Sequence, residues 1–228
     1  SVTTAAVGIE NTVARQVAPA MTSAIQSGLR SLGSPRNRSG FGVRQAGEGF
    51  AVEGRSAGDG AVHPWGVWGS FQRTDIEDDF IGTAFEGATH NLLVGADMSP
   101  MENFLIGVAL GFERSQADTR FNSGEVESTG ITVAPYLGVL FSEQLGASFD
   151  LSLDLSVGYT STDIDQFRTD PLSGNRITSR TDGDRWFLSS NIAASRAFGD
   201  FFVALRSGLL FARERQDAFT ESNGTQVG

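Results

Sequence analysis

Apolar and polar residues alternate along most of the chain beyond residue 63. The clearest stretch is 149–159, FDLSLDLSVGY, in which apolar residues occupy every odd position and the even positions are polar or glycine. Because successive side chains of a β-strand point to opposite faces, this period of two predicts a strand. The same pattern predicts seven strands, at approximately 65–73, 84–98, 104–117, 127–141, 146–161, 185–198 and 201–213.

The N-terminal third has a different pattern. Residues 1–33 are predicted to contain an amphipathic helix from about Thr3 to Gly33, with Pro19 expected to kink or interrupt it. Its apolar stripe recurs at steps of four and three, through Ile9, Val13, Val17, Met21, Ile25, Leu29 and Leu32. Three positions for this helix remain open, namely packed on a core, on a membrane surface, or threaded through a pore. Residues 34–62 are rich in glycine and are predicted to be a linker, with one short strand near 50–53.

The apolar face of the predicted strands could face a protein core or lipid. The spacing of the aromatic residues distinguishes these two possibilities. Aromatic residues bracket the apolar face of three strands, as a proposed lipid-facing girdle of Phe104, Phe112, Phe149, Tyr159, Phe201 and Phe211. Ten residues at about 3.3 Å each, tilted by about 40°, rise roughly 25 Å, which is the height of a lipid-facing band. A soluble core gives no reason for this separation, so the apolar face is predicted to meet lipid.

The opposite face of these strands consists mainly of Gly, Ala and Ser. Its sparse charged residues are Glu113, Asp150, Asp154 and Arg206, which are the predicted lining of a wet lumen. A solvent-facing sheet surface carries more long polar residues, whereas small residues suit a crowded interior. The predicted fold class is therefore all-β, a transmembrane antiparallel up-and-down β-barrel.

The predicted connections alternate in length. Those at 98–104, 141–146 and 198–201 are tight, and those at 73–84, 117–127 and 161–185 are longer and polar. Short turns at one rim and long loops at the other are typical of outer-membrane barrels, with the short turns in the periplasm.

Composition and motifs argue against several other functions. The net charge of −10 disfavours nucleic-acid binding, and the absence of cysteine excludes a disulfide framework and zinc-thiolate sites. His63 and His90 have no visible partner, and no nucleophile elbow is present. The acidic run at 75–79 lacks the glycine and spacing of a calcium loop and is interpreted as a solvated loop. The chain is therefore expected to have no catalytic residues, no metal and no cofactor.

Four segments in series carry a family resemblance. They are NLLVGADMSPMENFLIGVALGFERSQAD, GITVAPYLGVLF, LDLSVGYTSTDID and the terminal DAFTESNG. Residues 63–228 thereby resemble the autotransporter β-domain. The resemblance implies a twelve-stranded barrel in the outer membrane of a Gram-negative bacterium, the translocator of type V secretion, with residues 1–33 as its pore helix. It also implies outer-membrane lipid, barrel-assembly machinery, periplasmic chaperones and a passenger domain as partners.

Departures from that family, among them that no passenger is recognisable before residue 1, qualify the expected function. Seven strands are predicted rather than twelve, so the domain is expected to lack its C-terminal strands. Some members cleave themselves in the pore helix, but Asn11 is its one asparagine here and the paired-asparagine pattern is missing, so cleavage is not expected. The main hypothesis is a translocator that exports or anchors an N-terminal passenger. The alternatives are a passenger-less structural barrel or small-solute porin, and a soluble β-sandwich binding module.

Overall fold

The structure is a computed structural model whose described residues comprise one helix and eleven strands. It covers residues 17–29, 40–46, 49–55, 65–78, 84–119, 123–141, 150–170, 172–198 and 201–227. Helix α1 comprises residues 17–29. The strands are β1 (Gly40–Ala46), β2 (Gly49–Arg55), β3 (Trp65–Asp78), β4 (Phe85–Met101), β5 (Phe104–Thr119), β6 (Gly124–Leu140), β7 (Asp150–Thr169), β8 (Arg176–Phe198), β9 (Phe201–Gln216), β10 (Phe219–Thr220) and β11 (Gln226–Val227).

Strands β1 to β9 form one antiparallel sheet in which every strand pairs with its neighbour in sequence. The predicted up-and-down all-β fold is confirmed, and the seven predicted strands correspond to β3–β9. Among the described residues, β1 and β9 each pair on one side only. No described helix is long and apolar enough to cross a bilayer.

The segment expected to be a linker contains two strands, β1 and β2. They pair with each other, with Val43 opposite Val52, and β2 pairs in turn with β3. The sequence indicated one short strand, because frequent glycines obscure the alternation in GFGVRQA and GFAVEGR. Pairing with β3 supplies the hydrogen bonds that those short segments could not form alone.

The long polar loops predicted at one rim are largely strands, and that prediction was wrong. Strand β7 has 20 residues and β8 has 23, and their pairing continues to Thr169 opposite Arg176. The expected loop at 161–185 is therefore a hairpin whose connection spans only 170–175. Likewise, residues 75–78 of the acidic run lie in β3. The outer face of these stretches is polar and the inner face carries only isolated apolar residues such as Ile76 and Ile164, so the hydrophobic contrast from which strands are predicted is weak.

Of the predicted tight turns, the one between β4 and β5 is confirmed, since it consists of residues 102–103. Residues 142–149 and 199–200, where the other two were predicted, lie outside the described residues. At the opposite rim the paired strands extend beyond the apolar residues. We call the end with the β7–β8 hairpin the hairpin end, and the opposite end the turn end.

The two faces of the sheet differ as the alternation predicts. The face that carries α1, the inner face, is buried, as Leu105 and Ala134 are fully inaccessible. The opposite, outer face exposes its large apolar side chains, including Leu110 at 44%, Phe112 at 49% and Trp186 at 51%. An extended apolar surface of this kind is typical of a contact with lipid or protein.

The segment after β9 folds back onto the hairpin end, beyond the apolar band. The Arg168 guanidinium donates to both carboxylate oxygens of Glu221, at 2.9 and 2.7 Å. The amide of Ser222 donates to the carbonyl of Thr178 at 2.9 Å. The hydrogen bond from Arg168 lowers the pKa of Glu221 below its ordinary value of 4.5. This contact is therefore strongest when Glu221 is ionised.

Acidification is expected to detach this segment. Because the folded-state pKa is lowered, the stabilisation is fully present above about pH 4.5 and is lost as the pH falls through the lowered value. A bidentate, partly exposed pair of this kind contributes about 1 kcal/mol. Hydrogen exchange of residues 219–227, corrected for intrinsic rates, should rise about fivefold below that range.

The Glu221→Gln variant separates this effect from general acid sensitivity. At pH 7 it should exchange as the parent chain does at low pH, because it lacks the charge. Equal protection of this segment in the variant and the parent at pH 7 would contradict the role assigned to the ion pair.

Candidate lumen and its helix

Helix α1 lies against the inner face of the sheet. Its apolar stripe is almost completely buried, with Val17, Met21, Ile25 and Leu29 at 0–1% exposure. The stripe belongs to one core cluster with inner-face residues of β3–β6 and β8, namely Trp68, Leu93, Leu105, Ala109, Ala134, Tyr136 and Phe187. Pro19 does not interrupt the described helix, which continues to residue 29. The remainder of the predicted helix lies outside the described residues.

Glycine allows the helix to approach the sheet closely. A Cβ atom at position 138 would lie 2.8 Å from Cγ2 of Ile25 and 3.0 Å from Cδ1 of Leu29. At such distances the Ile25 and Leu29 side chains or the helix itself must shift, so glycine at 138 permits the close approach of α1.

Aromatic side chains of the inner face also pack closely against glycines. They lie across glycines of neighbouring strands, where a Cβ atom would come within 2.5 Å of the ring. These pairs are Trp68 with Gly95, Tyr136 with Gly107, and Phe187 with Gly158. The abundance of glycine on this face therefore reflects packing against a filled interior.

A polar network fixes the helix laterally. Asp154 of β7 accepts a hydrogen bond from Nε2 of Gln26 at 2.8 Å and another from Nδ2 of Asn191 at 2.8 Å. Asn191 also donates to the hydroxyl of Thr22 at 2.8 Å, and Ser152 donates to Oε1 of Gln26 at 3.1 Å. Asp154 is 1% exposed. Two helix residues are thus bound by polar side chains of β7 and β8, which we call the helix anchor.

Farther towards the hairpin end, a buried ion pair crosses the inner face. Nη2 of Arg185 lies 2.6 Å from Oε2 of Glu113, and these side chains are only 2% and 4% exposed. Arg185 also donates to the hydroxyl of Thr160 at 3.4 Å, and that hydroxyl is 2.8 Å from that of Thr132. This polar belt joins β5, β6, β7 and β8 at one level of the interior.

A second apolar cluster lies beyond the polar belt. It consists of Phe85, Ala117, Val126 and Ile164, with Ile76 packed against it. Towards the hairpin end, the inner face therefore carries an apolar layer around α1, then the charged belt, then a smaller apolar layer.

The four predicted lining residues have different environments. Glu113 and Asp154 are buried in the interior contacts described above. Asp150 is exposed at the start of β7, and Arg206 is exposed on the edge strand β9, where it pairs with Ala193 of β8. The structure thus places Asp154 against the helix, within electrostatic reach of Arg206, and Glu113 in the ion pair with Arg185. Their role as a pore lining stays a prediction.

The predicted girdle residues lie on the outer face wherever the structure describes them. Phe112, Tyr159, Phe201 and Phe211 are exposed and Phe104 is half-buried, whereas Phe149 lies outside the described residues. Tyr159 also contacts Trp186 on the next strand, with ring centroids 4.6 Å apart. Lipid contact by these six residues stays a prediction.

The other candidate side chains are dispersed. His63 and Asn11 lie outside the described residues. His90 is on the outer face, where its ring stacks beside Phe71 with centroids 6.2 Å apart. Within the described ranges, no three histidine, aspartate or glutamate side chains are grouped as metal ligands would be.

Sequence reasoning missed several residues of the interior. Arg185 and Asn191 share the inner-face parity of β8 with Phe187 and Ser189, so the alternation could have identified them. Gln26 lies off the apolar stripe of the helix, so the periodicity alone gives it no partner. Arg185 contacts Glu113 across 72 positions of sequence, and Gln26 contacts Asp154 across 128. Contacts between residues so far apart are visible only in the structure.

Comparison with known proteins identifies the family. The sequence model of the autotransporter beta-domain matches residues 66–228, well over half of the chain. The chain belongs to the autotransporter β-domain family. No curated protein matches this sequence significantly.

Among solved structures, the autotransporter β-domain resembles the ferric citrate transporter FecA in its unliganded form. The match has a TM-score of 0.35 at 13% identity and covers 78% of this chain. The chain spans about a third (31%) of the FecA structure's length. A resemblance this weak carries no argument about function.

Family membership explains why large apolar side chains lie on the outside of this sheet, the reverse of their distribution in a soluble protein. Autotransporter β-domains are outer-membrane β-barrels of type V secretion, so apolar side chains belong on the outside and small polar ones inside. The buried anchor and ion pair lie on that inner side. This distribution argues against the soluble β-sandwich alternative.

Proposed function

We propose that this domain is an integral outer-membrane translocator that exports or anchors an N-terminal passenger at the cell surface. The observation that carries the proposal is α1 itself, which precedes the family-matched strands and is bound to their inner face through Gln26 and Thr22. A chain whose N-terminal helix lies inside the barrel is suited to deliver what precedes the helix through that barrel.

The inner face suits passage of an extended polypeptide. Between positions 152 and 160, strand β7 offers it only small or polar side chains, namely Ser152, Asp154, Ser156, Gly158 and Thr160. An extended backbone could exchange hydrogen bonds along such a surface without burying unsatisfied groups. After export, α1 would occupy the lumen, and its apolar stripe would bury against Leu105, Ala134 and Tyr136.

The proposed mechanism needs neither catalysis nor a cofactor. Transport would depend on lumen polarity and on the final seating of the helix. The partners would be outer-membrane lipid, the barrel-assembly machinery, periplasmic chaperones and the passenger, with no nucleic acid. The net charge of −10 is consistent with the last point.

The decisive experiment asks where the N-terminus goes. An epitope placed before Ser1 should be detected on intact cells and removed by external protease. A second epitope in the 170–175 connection serves as a surface control. If the N-terminal epitope becomes accessible only after permeabilisation while the control is surface-exposed, the translocator proposal fails.

A conductance measurement addresses the porin alternative. A plugging helix predicts a large increase in single-channel conductance after deletion of residues 1–33. Unchanged conductance would favour a passenger-less porin whose pore does not contain the helix.

A further inference from the structure

Three cationic or titratable side chains lie side by side on the outer face. The strand register places Arg73 of β3 opposite His90 of β4, and His90 opposite Arg114 of β5. All three share the outer-face parity, and the arginine side chains are 53% and 65% exposed. Directly opposed residues have Cβ atoms roughly 5 Å apart, so the three form a continuous patch, which we call the basic row.

The basic row lies at the edge of the apolar band. The adjacent row on the same three strands is Phe71, Leu92 and Phe112, also in direct register. Two residues along a strand span roughly 6.6 Å, so the basic row begins where the apolar surface ends, on the side of the hairpin end. In a membrane barrel this is the depth of the lipid headgroups.

Carboxylates on the far side of the basic row orient its guanidinium groups. Arg73 donates to Asp75 through Nε and Nη2 at 3.1 and 2.9 Å, and Arg114 donates to Glu127 through Nη2 at 2.5 Å. A guanidinium carries five N–H donors, so neither carboxylate occupies them all. Because these carboxylates lie one register step farther from the apolar band, the groups are held at the membrane boundary.

The basic row is confined to β3–β5. At the same height, the register continues to Thr129, Asp163 and Asp182 on β6–β8. A cationic cluster on a chain of net charge −10 is therefore a local feature of one side of the barrel wall. Arginine pairs fit phosphate oxygens in a bidentate manner, and the histidine ring adds an N–H donor.

We propose that Arg73, His90 and Arg114 bind the phosphorylated headgroup of a lipid in the outer leaflet of the membrane. The acyl chains of that lipid would lie along Phe71, Leu92 and Phe112. The assignment to the outer leaflet rests on the proposed function, which places the hairpin end at the cell surface. The recognition of a phosphate group beside acyl chains follows from the basic row and the neighbouring apolar row alone.

Native mass spectrometry of the whole chain in detergent tests the proposal, with bisphosphorylated lipid A as the probe. The Arg73→Gln/Arg114→Gln double variant should bind it about tenfold more weakly than the parent chain. The matched control is Arg176→Gln/Arg180→Gln, which also removes two exposed outer-face arginines, both from β8. Its affinity should equal that of the parent.

Each other outcome overturns the proposal. Equal affinity of the double variant and the parent removes the role of the basic row. An equal loss in Arg176→Gln/Arg180→Gln indicates general charge attraction. Competition by inorganic phosphate at the same concentration as lipid A shows a phosphate site without lipid specificity. This binding assay does not involve passenger export, so its result is independent of the epitope experiment.

Discussion

Replacing Arg185 with leucine is expected to destabilise the folded domain by about 3–5 kcal/mol. Its partner Glu113 is 4% exposed and would remain as a buried carboxylate without its charged neighbour. The environment leaves little room for rearrangement, because a Cβ atom at Gly130 would lie only 2.7 Å from the Glu113 side chain. Denaturant unfolding in detergent, or the temperature at which the domain loses its folded gel mobility, measures the loss.

The Glu113→Leu/Arg185→Leu double variant provides the control. Removing both charges should restore much of the lost stability, because an apolar pair avoids the desolvation cost of a single buried charge. The coupling energy from the double-mutant cycle should therefore be several kcal/mol. Additive losses from the two single substitutions would show that the ion pair is not the source of the stability.

The sequence predicted the faces of the strands because their chemistry alternates. Leu110 and Phe112 were assigned to the outer face and Glu113 to the inner face by counting alone, and the structure agrees. The same count applied to β8 would have found Arg185. It could not have paired Arg185 with Glu113, because that contact depends on the register across the strands between β5 and β8.

The hairpin end was the least predictable part. Asp163 and Asp165 alternate with Thr162 and Ile164, yet the stretch reads as a polar loop because both faces carry hydrophilic residues. Its strand structure comes from the backbone pairing of β7 with β8, which continues beyond the apolar band. Alternation detects strands whose two faces differ strongly in polarity, and it fails where apolar residues such as Ile164 are sparse on both faces.

The position of the helix was left open among three alternatives. The stripe through Met21 and Ile25 showed that one side is buried, but a core, a membrane surface and a pore would bury it equally well. The discriminating contact is Gln26 with Asp154, which joins residues 128 positions apart.

Replacing Asp154 with leucine is expected to release α1 from the inner face. Gln26 would lose its acceptor, and a hydrogen bond to a buried carboxylate stabilises the seated helix by about 2–3 kcal/mol. Asn191, which holds Thr22 of the helix, would lose the carboxylate that orients it. Opening of the helix should become roughly 30- to 150-fold more frequent. Because the chain contains no cysteine, a single Ala24→Cys substitution on the buried side of α1 reports this opening through its maleimide labelling rate.

Asp150→Leu is the matched control, since Asp150 has the same parity on β7 but is exposed at its start. It should leave the labelling rate of the thiol introduced at position 24 unchanged, whereas a general weakening of β7 would raise the rate in both variants. Slow labelling in Asp154→Leu would mean that the apolar stripe and the close approach at Gly138 hold the helix unaided. In that case the helix would be retained by apolar packing alone. Gln26 would then serve only to satisfy the carboxylate of Asp154, which β7 buries.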